Sequence, residues 1–505
     1  MMTPVWTVAE SRARDAEATA AGVPFLSLME RAGGFVAEAV RRRPGTRRVL
    51  ILAGPGANGG DGLVAARLLA RQMPVTLCVP GRFPGFLGAA ELLRAAQAYG
   101  ADVVTAEDGL RALETADLVV DGLLGTGFRG EWGEVPGREI LERTADRGIP
   151  VYAIDILSGV AADTGEYGGP PVPVEATITF GAPKWGHFGH PGALRTGRLL
   201  VADIGLAGGA AGGRWMHPDL AAASLRPPDR LGSKFGRGRV IVLGGSAAMP
   251  GAPVMAGYAA LRAGAGLVEL LVPASLAGRL GAPAPLIVHP GGETREQTLS
   301  PSESDWRRVA RASALVVGPG LGRRIPPGFL DRVLGLGLPT VLDADGLGLL
   351  ARYPRRVGRH VVLTPHSGEM ARLLQRTVPA VDGNRRQALL DAVERYDAGV
   401  VLKGAFTLSG AGETVTVNTS GGPELATAGT GDVLAGIVAA FLAASLPSAQ
   451  AMALGAYLHG WAGTHAADRQ SRAVTALDVI DSLGAAWKSL QQKDWPAGAP
   501  RQVSA

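Results

Sequence analysis

The feature that most constrains the fold is a series of short apolar runs that alternate with helical stretches. The runs VLILA, VTLCV, DLVVDGLL, VYAIDI and ATITF occupy residues 49–53, 75–79, 117–124, 151–156 and 176–180. Continuous apolar runs are typical of parallel strands that are covered on both faces, since a strand with one solvent face alternates apolar and polar residues. The series therefore predicts βαβ units around a parallel sheet.

A second series of the same kind follows a stretch rich in Gly, Ala and Pro, from Gly205 to Pro228. Its runs RVIVLGG, LVELLV, ALVVGPG, TVLDADG, HVVLTP and GVVLKG lie between residues 239 and 404. A stretch of that composition is typical of a linker or a domain edge. We predict two α/β domains, residues 1–213 and 214–492, and a disordered tail at residues 493–505.

Composition and charge exclude several classes of partner. The formal net charge of +5 is small for 505 residues and the arginines are scattered, which argues against nucleic-acid and membrane binding. The single cysteine, Cys78, excludes an intrachain disulfide and a cysteine-based zinc site. Because no segment has the uncharged apolar length of a leader or a membrane span, we expect a cytoplasmic protein.

The first domain contains a glycine-rich loop between its first strand and the following helix. Residues 49–62, VLILAGPGANGGDG, hold a Gly-x-Gly-x-x-Gly at Gly54, Gly56 and Gly59. A redox dinucleotide site needs an acidic residue about 20 positions later, and a P-loop needs a Gly-Lys-Ser/Thr ending; the chain has neither. What remains is a tight turn that presents backbone N–H groups to an anion such as phosphate.

Four segments in order resemble the NAD(P)H-hydrate epimerase domain over about residues 6–210: GPGANGGDGLVAARLL, VDGLLGTGFRGE, AIDILSGVAADTG and TFGAPKWG. The resemblance implies a Rossmann-like three-layer fold that binds a nicotinamide dinucleotide as damaged substrate. It also implies potassium ligands at Asn58, Asp121 and Ser158, whose oxygens have the right hardness. The implied substrate-binding residues are Ala57, Asn58, Gly59, Gly60, Asp61, Gly125, Thr126, Gly127, Phe128 and Arg129.

The candidate catalytic residues of this domain are Asp155, at a strand end, and Lys184, as its electrostatic partner near the reacting ring. Inversion at the hydroxyl-bearing ring carbon needs a group that shuttles a proton, which a carboxylate can do. The alternatives are a turn role for Asn58, a helix cap for Asp121 and a solvent-facing Lys184. His187 and His190 lack a carboxylate or cysteine partner, so we interpret them as loop residues.

The chain departs from the epimerase pattern at three places. Ala57 stands where the family usually has an Asn, Leu157 where it has a Pro and Ala161 where it has an Asp. The expected metal and acid–base positions remain, so we expect the site to be present, while its rate stays open.

In the second domain, the run LATAGTGDVLAGIVAAF at residues 425–441 places small residues where a helix begins. Backbone N–H groups and the positive helix end can stabilise charge on a phosphoryl group there. Asp432 lies in the first turn, where a carboxylate can accept the proton of an attacking hydroxyl. The alternative is an acid favoured by the dipole of an ordinary helix start.

This run resembles the Gly-x-Gly-Asp signature of ribokinase-like kinases. Together with five further segments in order, over about residues 225–490, it resembles ADP- or ATP-dependent NAD(P)H-hydrate dehydratase: GRGRVIVLGGSAAMPGAPVMAGYAALRAGAGLV, VVGPGLG, DADGL, LTPHSGEMARLL and KGAFT. A ribokinase-like three-layer fold is implied, with catalytic Asp432 and a candidate magnesium ligand at Glu369. Asp343 and Asp345 are interpreted as loop-shaping residues. The implied substrate contacts are Ala252, Gly320 and His366, and the nucleotide contacts are Lys403, Gly404, Ala405, Phe406, Thr407 and Gly431.

The motifs also leave alternatives open. His366 can be a capping loop residue, Glu369 a surface helix residue and Lys403 a snorkelling lysine, and Ser233–Phe235 replaces the usual His-Lys-Gly of the family. Together the domains resemble bifunctional NAD(P)H-hydrate repair enzymes. The resemblance implies potassium, magnesium, ADP or ATP as co-substrate, hydrated NADH or NADPH as substrate, and a homo-oligomer. The alternatives are a vitamin or sugar kinase with a ligand-binding first domain, a scaffold module and an oxidoreductase, which the missing ribose acid disfavours.

Overall fold

The computed structural model describes residues 3–81, 85–86, 88–129, 131–206, 212–225, 232–322, 324–326, 328–470, 473–493 and 501–502. The chain divides between Gly212 and Gly213 into two compact units, and residues 501–502 belong to the first. Most of the tail that was predicted to be disordered, residues 494–500 and 503–505, lies outside the described residues.

The first unit contains a parallel sheet in the order β19-β8-β7-β6-β5-β2-β3-β4. Each run of the first series contains one of its strands, as predicted. The strands of this unit are β1 (Thr3–Val5), β2 (Val49–Ala53), β3 (Val75–Cys78), β4 (Asp102–Val104), β5 (Leu118–Gly122), β6 (Val151–Ile154), β7 (Val174–Phe180), β8 (Arg198–Ala202) and β19 (Arg501–Gln502).

Helices cover both faces of this sheet because its strands send alternate side chains to opposite sides. Val49 and Ile51 of β2 enter one core with residues of α2, α3 and α4, whereas Leu50 and Leu52 enter another with residues of α6. This is a three-layer Rossmann-like arrangement, as predicted. The helices are α1 (Val8–Ala20), α2 (Phe25–Arg41), α3 (Ala57–Leu69), α4 (Ala89–Ala98), α5 (Ala106–Ala112) and α6 (Arg138–Arg147).

The sheet of the second unit runs in the order β9-β18-β17-β16-β15-β14-β13-β10-β11-β12, and β17 alone among these strands is antiparallel to its neighbours. All six runs of the second series contain strands. The bounds are β9 (Gly213–Met216), β10 (Arg239–Leu243), β11 (Leu267–Pro273), β12 (Ile287–Gly291), β13 (Ala314–Val317), β14 (Thr340–Leu342), β15 (Val361–Leu363), β16 (Gly399–Leu402), β17 (Leu408–Gly410) and β18 (Val415–Asn418).

The same alternation gives the second unit three layers, which confirms the predicted three-layer α/β class. Val240 and Val242 of β10 pack into a core with α8, α16, α17 and α18, while Ile241 and Leu243 are buried on the other face. Its helices are α7 (Pro218–Ser224), α8 (Ala252–Arg262), α9 (Ala274–Ala277), α10 (Glu303–Val309), α11 (Phe329–Gly335), α12 (Asp345–Arg352), α13 (Ser367–Leu374), α14 (Val378–Gly383), α15 (Arg385–Tyr396), α16 (Thr430–Ala443), α17 (Ser448–Gln470) and α18 (Ala476–Gln492).

The remaining general expectations concern the cysteine and the membrane. Cys78 is buried and free, and burial raises the pKa of its thiol to about 12. In the part of the chain that the structure describes, no helix has both the length and the apolar character that a bilayer crossing needs.

The close packing of α16 on α8 gives a stability prediction. A Cβ on Gly436 of α16 would lie 2.0 Å from the Ala256 carbonyl oxygen of α8, so Gly436→Ala forces the helices apart and lowers the free energy of unfolding by about 1–3 kcal/mol. Gly484→Ala on α18 is the matched control, because open space surrounds this glycine. Alanine restricts the backbone of the unfolded chain, so this change raises the free energy of unfolding by about 0.5–1 kcal/mol. Urea unfolding checks both variants, and equal stabilities would contradict the packing argument.

Candidate functional site

The chemistry-bearing residues of the first unit follow strands β2, β5, β6 and β7. Parallel strands present their carboxyl ends at one edge of the sheet, so the loops after them converge. This edge brings together Asn58 at the start of α3, Asp121 near the end of β5, Asp155 and Ser158 after β6, and Lys184 after β7.

Asp121 and Ser158 form one hydrogen-bonded group. The fully buried Asp121 carboxylate accepts hydrogen bonds from the Ser158 backbone N–H and hydroxyl, both at 2.7 Å, and from the Leu123 N–H at 3.2 Å. Burial raises the pKa of Asp121 overall, although the Ser158 and Leu123 hydrogen bonds oppose that rise. The carboxylate is therefore held in place by donors and has no cationic side chain among those contacts.

Asn58 joins this group through the Leu124 carbonyl. Its amide donates to the Ile154 oxygen at 2.6 Å and lies 3.4 Å from the Leu124 oxygen, which is 3.3 Å from the Ser158 hydroxyl. A Cβ on Gly125 would lie 2.4 Å from Asn58 Oδ1, so the loop after β5 approaches the amide closely. Two of the three expected potassium ligands, Asn58 and Ser158, thus contact one backbone carbonyl, and Asp121 joins them through its hydrogen bonds with Ser158.

Asp155 and Lys184 form a buried ion pair. Lys184 Nζ donates to Asp155 Oδ1 at 2.5 Å, to the Thr179 hydroxyl at 3.0 Å and to the Phe180 carbonyl at 3.1 Å, and the lysine is 1% exposed. Burial alone raises the pKa of Asp155, but the Lys184 charge and the hydrogen bonds from Lys184 and Thr179 bring it below its usual value. Asp155 also holds a left-handed backbone conformation, with φ of 63°, which Asp tolerates better than most residues.

His187 connects the backbones of this pair through its two ring nitrogens. Its Nδ1 accepts the Lys184 backbone N–H at 3.0 Å, so Nε2 carries the proton and donates to the Asp155 carbonyl at 2.8 Å. Burial, with the Lys184 charge acting in the same direction, lowers the pKa of His187 to about 4. The imidazole is therefore neutral at physiological pH and positions both backbones.

Two further carboxyls interact with the ion pair. Asp61 of α3 is buried, and burial followed by the charges of Asp155 and Asp15 raises its pKa well above the usual value, while Lys184 opposes the rise. Asp15 of α1 is half-buried, and burial is the main cause of its raised pKa. Asp15, Asp61 and Asp155 form a carboxyl cluster that interacts with the single ammonium of Lys184.

A cavity of about 600 Å³ opens beside the loop after β5. Thr126, Phe128 and Arg129 of the predicted substrate set line it, with Trp132 and Tyr167, whose ring centroids are 5.6 Å apart. The residues that line this cavity do not include Asp155 or Lys184, because that pair is buried. Of the other predicted residues, Ala57, Gly59, Gly60 and Asp61 form the start of α3, and Gly127 approaches Arg12 of α1.

In the second unit, the start of α16 is held by its neighbours and leaves backbone N–H groups free to bind an anion. Gly429 caps the helix with φ of 91°, and a Cβ there would lie 2.5 Å from Met255 Sδ of α8. The Thr430 hydroxyl donates to the Leu425 and Thr427 carbonyls at 2.8 and 2.9 Å.

Lys403 lies beside this helix start. Its Nζ donates to Asp343 Oδ1 at 2.8 Å and is 3.7 Å from Glu369 Oε2, and a Cβ on Gly431 would be 3.2 Å away. Burial lowers the pKa of Lys403, but the charges of Asp343, Glu369 and Asp432 raise it overall. The ammonium is therefore charged and borders the expected phosphate position.

The pKa of Asp432 is raised strongly by its surroundings. Burial and the Asp343 carboxylate raise its pKa to about 7, with smaller contributions from Glu369 and Asp345, although Lys403 opposes the rise. A carboxyl with this pKa exchanges protons near neutral pH, which suits a general base. Lys403, after β16, and Glu369, of α13, act electrostatically on this carboxyl from two other elements, and Gly431 precedes it in α16.

The predicted substrate contacts of the second unit lie at helix starts and turns. His366 caps α13. Its ring Nδ1 accepts the Gly368 backbone N–H at 3.0 Å, and the His366 backbone N–H donates to Glu369 Oε2 at 2.9 Å. His366 is exposed, whereas Glu369 is buried rather than on the surface. Gly320 has φ of 62°, and a Cβ there would lie 3.2 Å from the Cβ of Ala252, so these two predicted contacts are neighbours.

The loop predicted to bind the nucleotide, residues 403–407, is held by Arg385, which no motif singled out. Arg385 of α15 donates to the Leu402 and Lys403 carbonyls at 3.1 and 3.2 Å, and a Cβ on Gly404 would lie 2.9 Å from its guanidinium. Thr407 donates to the Gly404 carbonyl at 3.0 Å. Ala405 is exposed and Phe406 has φ of 54°, which completes the turn.

Comparison with known proteins follows this division into two units. A family model described as YjeF-related protein N-terminus matches residues 26–186, and one described as NAD(P)H-hydrate dehydratase matches residues 240–484. The bifunctional NAD(P)H-hydrate repair enzyme Nnr of Moorella thermoacetica is 38% identical over 93% of this chain and 94% of its own. The protein of that name from Escherichia coli is 35% identical over 95% of this chain and 93% of its own. The chain belongs to the bifunctional NAD(P)H-hydrate repair enzyme family.

A solved structure is similar to the second unit. It is ADP/ATP-dependent NAD(P)H-hydrate dehydratase from Bacillus subtilis, co-crystallised with ATP and Mg²⁺, which is 27% identical over 54% of this chain and 97% of its own, with a TM-score of 0.47.

Sequence reasoning missed the contacts of three residues that hold or pair with the predicted site residues. His187 was read as a loop residue, and its spacing of three from Lys184 is the signal that could have found it. Asp343 was expected to shape a loop, but it also pairs with Lys403. Arg385 has no local signal, because only the fold brings α15 to the end of β16.

The buried pair predicts a large effect of Lys184→Met. The change leaves the Asp155 carboxylate buried without its cation and lowers the free energy of unfolding by about 3–5 kcal/mol at neutral pH. Because the pair lowers the pKa of Asp155, its stabilisation is present above the unfolded pKa and disappears as pH falls through the folded one. Urea unfolding at several pH values measures this. A Lys184→Met/Asp155→Asn variant is the control and should recover most of the loss; an equally large loss in the double variant would contradict the argument.

Proposed function

We propose that this chain repairs hydrated NADH and NADPH, with epimerisation in the first unit and nucleotide-dependent dehydration of the S epimer in the second. The observation that carries the proposal is Asp432, a carboxyl with a pKa of about 7 in the first turn of α16, beside the charged Lys403. A base, a cation and free helix N–H groups meet there, as phosphoryl transfer requires. The Asp155–Lys184 pair supports the first reaction.

In the dehydration, Asp432 accepts the proton of the substrate hydroxyl as its oxygen bonds to the terminal phosphorus of ADP or ATP. The phosphoanhydride bond breaks, and Lys403 with the N–H groups at the start of α16 stabilises the charge. The ring nitrogen then expels the phosphate, and the neighbouring ring carbon loses a proton. The product is the dihydronicotinamide ring, and nothing is oxidised.

In the epimerisation, the ring nitrogen expels the hydroxyl and water adds to the other face of the same carbon. Asp155 is ionised by its pairing with Lys184, so it can accept the proton of the incoming water. His187 holds the two backbones at the spacing that the pair needs. Gly125–Arg129 and Ala57–Asp61 would line the dinucleotide, and Thr126, Phe128 and Arg129 already line a cavity.

The residues present fit the two expected metal ions differently. Asp121, Ser158 and Asn58 offer one carboxylate, a hydroxyl and an amide, and the hydroxyl and the amide contact the Leu124 carbonyl. Their oxygens are hard and carry a single charge, which suits potassium. Within the described residues no three His, Cys, Asp or Glu side chains form a metal cluster, so Glu369 would share magnesium with nucleotide phosphates and water. When bound, magnesium would neutralise phosphate charge.

Other parts of the proposal rest on family likeness. By resemblance only, the fused two-domain layout favours ADP as the nucleotide and a homo-oligomer. The vitamin or sugar kinase alternative is not favoured, and product analysis separates the two. A repair enzyme releases free phosphate and restores the 340 nm absorbance of reduced nicotinamide, whereas a kinase retains a phosphorylated product.

The raised pKa of Asp432 predicts the pH dependence of dehydration. Because the base must be ionised, kcat/KM should rise with pH through about 7, and Asp432→Asn should remove that limb and lower kcat about 100- to 10,000-fold with substrate binding retained. The measurement is the 340 nm rate with chemically hydrated NADH, magnesium and either nucleotide. Asp345→Asn is the control: it should keep the plateau and move the limb to lower pH, since the Asp345 charge raises the pKa of Asp432. A fully active Asp432→Asn variant would remove Asp432 from the mechanism.

The oxygen set around Leu124 predicts that epimer exchange depends on potassium. Asp121→Asn removes the charge of the set and should weaken the apparent potassium affinity about 10- to 100-fold, as measured by exchange rates against potassium concentration. Asp117→Asn, which lies just before β5 and accepts the Arg47 and Arg48 N–H groups, makes the same chemical change at the other end of the strand and should leave that affinity unchanged. An equal effect of both variants would refute the assignment.

A further inference from the structure

The carboxyl cluster of the first unit contains more acid than its cation can balance. Asp15, Asp61 and Asp155 interact electrostatically with one ammonium, that of Lys184, and the neighbouring His187 is neutral. A buried ionised carboxylate without a cation is costly, so such a group takes up a proton instead. The excess of acid therefore favours the protonated form of at least one of these carboxyls.

The contacts show which carboxyl is ionised. Asp155 Oδ1 accepts from Lys184, Thr179 and the Phe180 N–H, at 2.5, 2.8 and 3.4 Å, and these three donors favour the charged form. The other oxygen, Oδ2, accepts no hydrogen bond from any described residue. Asp155 is thus a carboxylate with one oxygen free to take a proton.

The proton of the cluster is assigned to Asp61. The Asp61 side chain is 6% exposed, whereas Asp15 is only half-buried. No described residue donates a hydrogen bond to the Asp61 carboxyl. It lies in the first turns of α3, within the Ala57–Asp61 segment that would line the substrate. The charged groups that act on it are Asp155 from the loop after β6, Lys184 from the loop after β7 and Asp15 from α1.

We infer that Asp61 is the proton donor of the epimerase site and works together with Asp155 as a two-carboxyl pair. The inference rests on the proposed epimerisation. Asp61 gives its proton to the departing hydroxyl while the C–O bond breaks, water leaves, and the ring nitrogen's lone pair forms a C=N bond. A water then bonds to the same carbon from the other face, its proton passes to Asp155, and the electron pair returns to nitrogen. The two carboxyls exchange protonation states, and solvent resets them.

The deciding variant is Asp61→Asn in the full chain, because Asn matches a protonated Asp in shape and in neutral charge but cannot donate a carboxyl proton. A purely structural role survives this change, whereas proton donation does not. We expect epimer exchange to fall at least about 100-fold, with no loss of thermal stability. Dehydration of the S epimer by the second unit of the same sample should be unchanged, which controls for folding and concentration.

The pH profile of exchange gives an independent readout. An acid that must be protonated makes the rate fall as pH rises through its pKa, so the wild type should show an alkaline limb and Asp61→Asn should lack it. Asp15→Asn removes a carboxyl of the same cluster and should keep that limb. Exchange within about tenfold of wild type in Asp61→Asn, or loss of the limb in Asp15→Asn instead, overturns the inference. Absence of exchange in the wild type would refute the proposed epimerisation itself.

Discussion

Both sites depend on one constraint, which is that a parallel strand covered on both faces has only its ends available for chemistry. The interiors of β2, β5 and β6 are buried throughout, so polar groups can appear only where these strands stop. Asp155 follows β6 directly, and Lys403 follows β16. The carboxyl edge of each sheet therefore gathers side chains that are far apart in the chain.

Each site then uses one lysine, buried in the first unit and partly buried in the second, to set the protonation of several acids. Lys184 holds Asp155 ionised and leaves Asp61 without enough positive charge, so the two carboxyls differ in pKa. Lys403 pairs with Asp343 and leaves Asp432 with a pKa of about 7. An excess of acid over cation in a low-dielectric environment produces a carboxyl that exchanges protons near neutral pH.

Close backbone approach is the second requirement that the sites share. Gly125 lies against the Asn58 amide, and Gly431 lies against the Lys403 ammonium. A side chain at either position would occupy the space in which these polar groups meet their neighbours. The glycines thus serve geometry as well as turn formation.

The sequence alone indicated both α/β units and their family, since apolar runs and ordered motifs are local signals. It did not indicate β8 or β12, nor the short strands β1, β4, β9, β17, β18 and β19. The potassium, magnesium and oligomer predictions stay predictions.

The family resemblance already indicated Lys184 as the partner of Asp155, but only the tertiary structure decided how acids and cations balance around each lysine. The Asp155–Lys184 pair spans 29 residues and the Asp343–Lys403 pair spans 60, so no window of sequence contains the balance of acids and cations. The role of His187 and the burial of Asp61 and Glu369 arise in the same way, because burial and Coulombic coupling depend on what the fold packs around a group. The sequence determined which candidate residues are present, but the packing around them determined their protonation states.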